Sequence, residues 1–416
     1  MDPNIATAGV SPWRHSNLGI FIAAFFFAFQ DNALLIALPW QVMNLGGKEL
    51  AVGAVGMLSL GTYMAFCILT GSRFGRIGPK RLSLTSTLTT TFIIAIMPMM
   101  PSVPWLLALI GVKGMLMSMF WPPLMGWIST GLNGPELNHR LSIFNLSWST
   151  GAILGSLLGG MLFSLAPQFA FTTSAISCFL AAVALTLTSA KVSDFTGINT
   201  DTSCETAQTP VDPHLVKLPT FQWIARVGLL LGWIAFGALR VPSASLLNEM
   251  SLDAGLHGII CSEINLIMLI FFFLLGRFTR WHYNFRIITI TALVLMGSLI
   301  GVGISQNAGQ LLFFVFLASP VLAFIYSSHL YYSVSGSGHR QGSAALHEIL
   351  LALGFSIGSF GGGAIGHSLG LRNVYFVVAG IIGLSQILQV FIYVIGTRRA
   401  NLPQLFAQKE VKLESE

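Results

Sequence analysis

Among the ionisable side chains inside apolar runs of this sequence, seven are candidates for chemistry: Asp31, Lys113, Arg240, Glu263, His329, His347 and Glu348. A charge placed in hydrocarbon costs about 2.5–3.5 kcal/mol on insertion scales, so each needs a partner or a task. A carboxylate beside a cation can hold an ion pair that opens on protonation or on binding of a charged solute. A carboxylate beside a histidine can pass a proton. His347-Glu348 begins HEILL, which lacks the second histidine of a helical zinc motif, so no metal and no cofactor is expected.

The runs around these residues explain why their placement is costly. Of 416 residues 54% are hydrophobic and only 9% charged, with a mean hydropathy of +0.76, against about 25% charged in soluble domains. Such a chain is solvated only where lipid replaces water over most of its surface. Twelve runs can cross the bilayer as helices: 18–42, 51–71, 82–100, 104–130, 141–165, 169–190, 220–246, 256–276, 287–305, 309–335, 343–367 and 372–396. Connections such as Pro167-Gln168 leave room only for hairpins, so successive runs alternate in direction. The first run is too long for the apolar core of a signal peptide. Cys67, Cys178, Cys204 and Cys261 show no metal or redox spacing.

Lys191 to Lys217 is polar and rich in Thr, Asp and Pro. It reads as a linker within 191–219, dividing a six-helix unit at 1–190 from a second at 220–396, with a tail at 397–416. All loop lysines and arginines except Lys48 and Arg372 fall on one side, which places both termini in the cytoplasm of a multi-pass protein of the plasma (inner) membrane. The net charge of +6 is therefore spread over lipid-facing loops, which argues against a nucleic-acid partner.

The two units repeat one another. GAILGSLLGG at 151–160 and GFSIGSFGGG at 354–363 share one glycine pattern at an offset of 203 residues. Pro39 and Pro242, RFGR at 73–76 and RFTR at 277–280, and Trp127 and Tyr332 recur at similar offsets. Gly151, Gly155 and Gly159, with Gly354, Gly358 and Gly362, leave one helix face bare for close packing where the bundles meet or slide. Six crossings return the chain to its starting side, so the units are parallel repeats, as in carriers whose two bundles rock about a central site.

These features resemble the major facilitator superfamily over essentially the whole chain. The stretch Gly71-Ser72-Arg73-Phe74-Gly75-Arg76-Ile77-Gly78-Pro79-Lys80-Arg81 is similar to the family's loop after the second helix. Gly71, Arg76, Gly78, Lys80 and Arg81 match; Gly75 replaces the aspartate that helps latch the gate, and Pro79 replaces an arginine. Arg73, Arg277 and Arg280 join these as gating-loop candidates. The fifth run resembles the family's antiporter motif with Ser156 in place of proline, which weakens a reading as an exporter. The resemblance implies an all-α fold of two pseudo-symmetric six-helix bundles and solute transport by alternating access. It also implies that runs 3, 6, 9 and 12, which hold no Asp, Glu, Lys, Arg or His in their interiors, face lipid.

Counting 1.5 Å per residue puts Asp31 about 20 Å and Lys113 about 18 Å from the cytoplasmic face, so an ion pair between runs 1 and 4 is expected. The same count pairs Arg240 with Glu263, unless Arg240 reaches outward. His329, His347 and Glu348 lie near the cytoplasmic mouth, where Asn145 occupies the place equivalent to Glu348. Trp121, Asn145, Trp148, Tyr326 and Tyr332 are candidate cavity residues, suited to sugars, aromatic compounds or amphipathic ions. The reading is a secondary carrier of a small organic solute, acting as a monomer in the bilayer, with proton coupling left open. No P-loop or nucleophile elbow supports an enzyme. A sensor or assembly factor that kept the carrier fold but lost turnover is the second reading, favoured by the missing aspartate at position 75.

Overall fold

The computed structural model describes residues 18–74, 77–129, 134–188, 217–335 and 340–413. The expected linker up to residue 216, Gly75 and Arg76 lie outside the described residues, as do the side chains of Arg73 and Arg340; a helix begins already at Leu218, inside the expected linker. Twelve helices are long and apolar enough to cross a membrane. They are α1 (Leu18–Asn44), α2 (Glu49–Thr70), α3 (Pro79–Met99), α4 (Val103–Ser129), α5 (His139–Leu165), α6 (Pro167–Leu187), α7 (Leu218–Glu249), α8 (Ala254–Arg277), α9 (Phe285–Ile304), α10 (Ala308–Ser333), α11 (Leu346–Leu369) and α12 (Leu371–Arg398). The last helix runs on unbroken to Leu413, so part of the expected tail continues α12.

Local chemistry marks the ends. Proline stands in the first turn of α3, α4, α6 and α7, where its missing N–H removes no helical bond. Asp253 and Asn307 cap α8 and α10 by accepting from the N–H groups of Leu256 and Gln310, each at 3.0 Å. Gly370, at φ +97°, turns the chain between α11 and α12 in a conformation that side chains with a Cβ resist.

The two halves share one plan. α1 packs on α5 and α6, and α3 on α6; α7 packs on α11 and α12, and α9 on α12. The helices α3, α6, α9 and α12, whose Lys and Arg, where present, stand only in the end turns, carry exposed apolar side chains, among them Phe92, Phe179, Leu293 and Leu384. With no water to drive apolar surfaces together in lipid, close backbone approach supplies the cohesion. The glycine stripes do this, but inside each half. A Cβ on Gly151 or Gly155 would stand 2.2 Å from the carbonyl oxygen of Phe25 or Phe29, and one on Gly159 2.5 Å from the Cα of Ala33, all on α1. On α11, Gly354 and Gly358 meet Leu230 and Ile234 of α7, and Gly362 meets Pro242. The expectation that these stripes lie where the bundles meet is thus corrected. The contact between halves uses the neighbouring face: Gly160 and Ser156 of α5 against Gly258 of α8, and Gly363 and Ser359 of α11 against Gly53 of α2.

Two stability predictions follow from these contacts. Gly155→Ala forces a methyl group into backbone atoms of α1 and should cost about 1–3 kcal/mol, read as a lower midpoint of thermal unfolding in detergent. Gly297→Ala, where a Cβ meets nothing within 4 Å, should leave the midpoint unchanged or raise it. Separately, the Leu256 N–H holds the Asp253 carboxyl below its ordinary value of 3.8. A group whose folded value is depressed stabilises above its unfolded value and loses that effect as pH falls through the folded one. Asp253→Ala should therefore cost about 1 kcal/mol at neutral pH, with faster amide exchange at Leu256, and the difference from wild type should vanish in acid below 3.8.

Candidate functional site

The two halves touch at one end. Among the described residues, the hydrogen bonds that join them lie in the part of the helices away from the basic loops. Ser359 Oγ donates to the carbonyl of Gly53 at 2.8 Å, and the N–H of Gly255 donates to Ser164 Oγ at 2.8 Å. His367 Nδ1 and Glu49 Oε2 approach to 3.2 Å across the same seam. Trp40 of α1 donates its Nε1–H to His257 Nδ1 of α8 at 3.2 Å. His257 Nε2–H in turn faces the carbonyl of Arg240 at 2.9 Å. α7 is interrupted beside that carbonyl, since the helix ends at Arg240 and resumes at Ser243 after Pro242, which has no N–H to give. The neighbours of His257 thereby select its neutral tautomer with the proton on Nε2.

Towards the basic end the halves part. Asn145 on α5 and Glu348 on α11 are exposed, whereas Ser156 and Ser359 further along the same helices are buried. Glu348 comes within electrostatic reach of Tyr63 and Cys67 on α2 and of Tyr326 on α10, and Tyr63 is also within reach of Asp31. Together these groups outline one crevice that reaches the middle of the bundle.

At its floor, Lys113 Nζ of α4 donates to Asp31 Oδ1 of α1. Lys113 is 2% exposed and Asp31 24%, so the carboxylate faces the crevice and the ammonium is enclosed. The expected pair of runs 1 and 4 is present as geometry. Beside it, Gln30 is buried with neither side-chain amide atom hydrogen-bonded, a cost that a packing role alone does not offset.

Arg240 is 5% exposed and bonds neutral groups. Its Nη1 donates to Asn265 Oδ1 at 3.3 Å, and its Nη2 to Asn32 Oδ1 at 3.0 Å and to Ser156 Oγ at 3.3 Å. The expected pairing with Glu263 is not formed, and neither is an outward reach. Glu263 is two positions from Asn265, about 200° round the helix, and falls in the stripe of exposed Ile259, Leu266 and Ile270. It is half-buried, and its Oε2 has no hydrogen-bond partner.

The histidines form a pair of their own. His329 Nδ1 and His347 Nδ1 lie 2.8 Å apart, both rings buried, with the edge of His347 against Tyr326. Glu348, one residue on, points instead to the crevice, so the expected His347–Glu348 unit is divided between two faces of α11. Trp148 Nε1 donates to Asn145 Oδ1 at 3.0 Å. Trp121 packs with Phe27, Phe120 and Phe144. Tyr332 is not a crevice residue: it is buried against Phe221 and Tyr283, and its hydroxyl accepts from the N–H of Tyr283 at 2.8 Å.

Of the loop residues, Lys80 donates to the carbonyls of Thr186 and Thr188 at 3.1 and 2.7 Å and so closes the end of α6, an arrangement favoured by the helix dipole. That bond stays within one half. Gly78, Arg81, Arg277 and Arg280 are exposed. Asn32 and Asn265 went unmarked in the sequence because neither is ionisable, and His257, at the start of its run, was not singled out. The corresponding positions of Gly160 and Gly363 offered a usable signal.

With this geometry in view, comparison with known proteins is direct. A family model described as Major Facilitator Superfamily matches residues 20–345, and the chain belongs to that family. The POT family transporter PepTSo superposes with a TM-score of 0.73 at 11% identity, covering 94% of this chain and 99% of that one. A bacterial homologue of the human lysosomal transporter Spinster gives 0.69 at 13% identity, covering 94% and 98%. The nucleoside transporter NupG gives 0.68 at 12%, covering 91% and 99%. At these identities the likeness is one of fold. No curated protein sequence matches.

Removing one member of the central pair leaves the other charge enclosed. Asp31→Asn should therefore destabilise the protein by about 3–5 kcal/mol, while Asp31→Asn combined with Lys113→Met should recover most of the loss in thermal unfolding. A double substitution whose cost equals the sum of those of Asp31→Asn and Lys113→Met alone would show that the two groups are not coupled.

Proposed function

We propose that this protein is a secondary carrier that moves a small organic solute across the plasma membrane by alternating access, with its basic end and both termini in the cytoplasm. In this reading the structure corresponds to the state open to the cytoplasm. The observation that carries it is the one-ended contact between halves: Gly160 with Gly258 and Gly363 with Gly53 close one mouth, while Glu348 and Asn145 are exposed at the other. A Cβ at Gly363 would lie 2.5 Å from the carbonyl oxygen of Glu49 and 2.8 Å from the Cα of Gly53, so this closure requires residues without side chains. The solute site is the crevice floor at Asp31 and Lys113, walled by Tyr63, Tyr326 and Trp148. Of the ionisable groups there, Asp31 and Glu348 are the carboxylates with access to water in this state, which makes them the candidates for proton coupling.

Gly363→Leu tests the cycle. It should block closure of the outer mouth and lower counterflow in proteoliposomes at least about tenfold, while the protein still folds and still binds solute. Wild-type counterflow in that variant would remove the glycine seam from the mechanism. If uptake is driven by a pH gradient, Asp31→Asn/Lys113→Met should move solute without responding to that gradient. The sensor reading keeps one supporting observation, the glycine at position 75. It prevails if a solute that demonstrably binds is never moved.

A further inference from the structure

The Arg240 guanidinium is enclosed between the halves without a counter-ion, and this singles it out. Among the described residues, the ion pairs are Lys113–Asp31 and His367–Glu49; Arg240 belongs to neither. The charge of Asp31 is already taken by Lys113. Glu263, on the same helix as Asn265, is turned to the opposite face. What surrounds Arg240 is neutral: Asn32, Ser156, Asn265, the buried Cys261 thiol and, 5.3 Å from the guanidinium carbon, the ring of Phe236. Its Nε–H is buried and has no acceptor. A cation held this way is paid for elsewhere in the fold, since replacing it with an apolar side chain would remove the desolvation cost outright.

The ownership of the acceptors matters as much as their neutrality. Asn32 and Ser156 belong to the first half, whereas Asn265 shares the second half with Arg240. Parting the halves at this mouth strips two acceptors from the guanidinium and leaves it with one. An oxyanion supplies charged acceptors in a fork that a guanidinium matches, and such bonds are roughly twice as strong as neutral ones.

We propose that Arg240 recognises a carboxylate or phosphate oxyanion on the transported solute, which replaces Asn32 and Ser156 as its partner when the outer mouth opens. This assignment rests on the carrier reading and names its substrate class. It gives the neutral acceptors a reason. Aspartate at position 32 would be a permanent counter-ion and would compete with the solute, while asparagine releases the guanidinium at low cost. It also makes binding and opening one event, because the anion favours the state in which the halves have separated there.

The test is a binding measurement, so that it can fail while transport stands. Purified protein in detergent is titrated with succinate, benzoate and glycerol phosphate, and separately with choline, glucose and chloride, following the unfolding midpoint. At least one of the three organic anions should raise the midpoint of the wild type, and choline, glucose and chloride should not. In Arg240→Gln the half-effect concentration should rise at least about tenfold, equivalent to about 1.4 kcal/mol, and Arg240→Lys should recover part of the affinity. Arg240 variants can suffer in folding, so Asn32→Asp is the second arm. Its built-in carboxylate should keep the midpoint at or above that of wild type and abolish the response to anions. The proposal is overturned if none of the anions acts, if choline or glucose acts equally, or if the anion response survives in Arg240→Gln or Asn32→Asp. Counterflow of an uncharged solute would then leave the carrier intact and this assignment refuted.

Discussion

Everything in this protein depends on how closely two helix backbones can approach in a medium that offers no hydrophobic effect between them. The glycines on α5 and α11 serve two such contacts at once. One stripe, Gly151 to Gly159 and its repeat, locks each half internally onto α1 or α7. The adjoining residues, Gly160 and Gly363, bring the opposite half into backbone contact. The first contact joins helices of the same half. The second joins the two halves and is built from α5 on α8 and α11 on α2.

Polar chemistry is arranged around that seam. Each buried polar group that crosses it has a neutral partner: Trp40 with His257, Ser359 with Gly53, Arg240 with Asn32 and Ser156. The charged pair Lys113–Asp31 instead lies wholly within the first half. Breaking an ion pair across the seam would leave two bare charges in a low-dielectric interior, whereas breaking a neutral hydrogen bond there costs less. In the proposed cycle, that arrangement suits a seam that opens and a charge pair that stays within one half. The exception is the exposed His367–Glu49 contact at the rim, where water can take over either partner.

Sequence counting located Asp31 opposite Lys113 and failed for Arg240 and Glu263, and the difference is instructive. A residue count gives depth along the membrane normal, because every helix rises by the same increment. It gives azimuth only relative to other residues of the same helix. Asp31 and Lys113 agreed in depth and also faced each other. Arg240 and Glu263 were plausible in depth, but Glu263 faces away from α7 by roughly half a turn. Apolar residues flank Glu263 on every face of its run, so only the structure, in which Ile259, Leu266 and Ile270 are exposed, places it on that outer stripe. Tyr332 failed in the same way, its depth being consistent with a mouth while its direction buries it beside Phe221.

Hydropathy and internal repetition, both local or periodic properties, were enough for the sequence alone to point to twelve crossings and two equivalent halves, since lipid forces every backbone group into a helix and forces charges out of the outer ones; the family was read from the likeness of Gly71 to Arg81 and of residues 151–160 to its motifs. Only tertiary packing decided which glycine face meets α1 and which meets the other half, which end is shut, and that Arg240 answers to amides rather than to a carboxylate. Those are relations between helices far apart in the chain, fixed by rotation about each helix axis, and a linear pattern carries no coordinate for that rotation between one helix and the next.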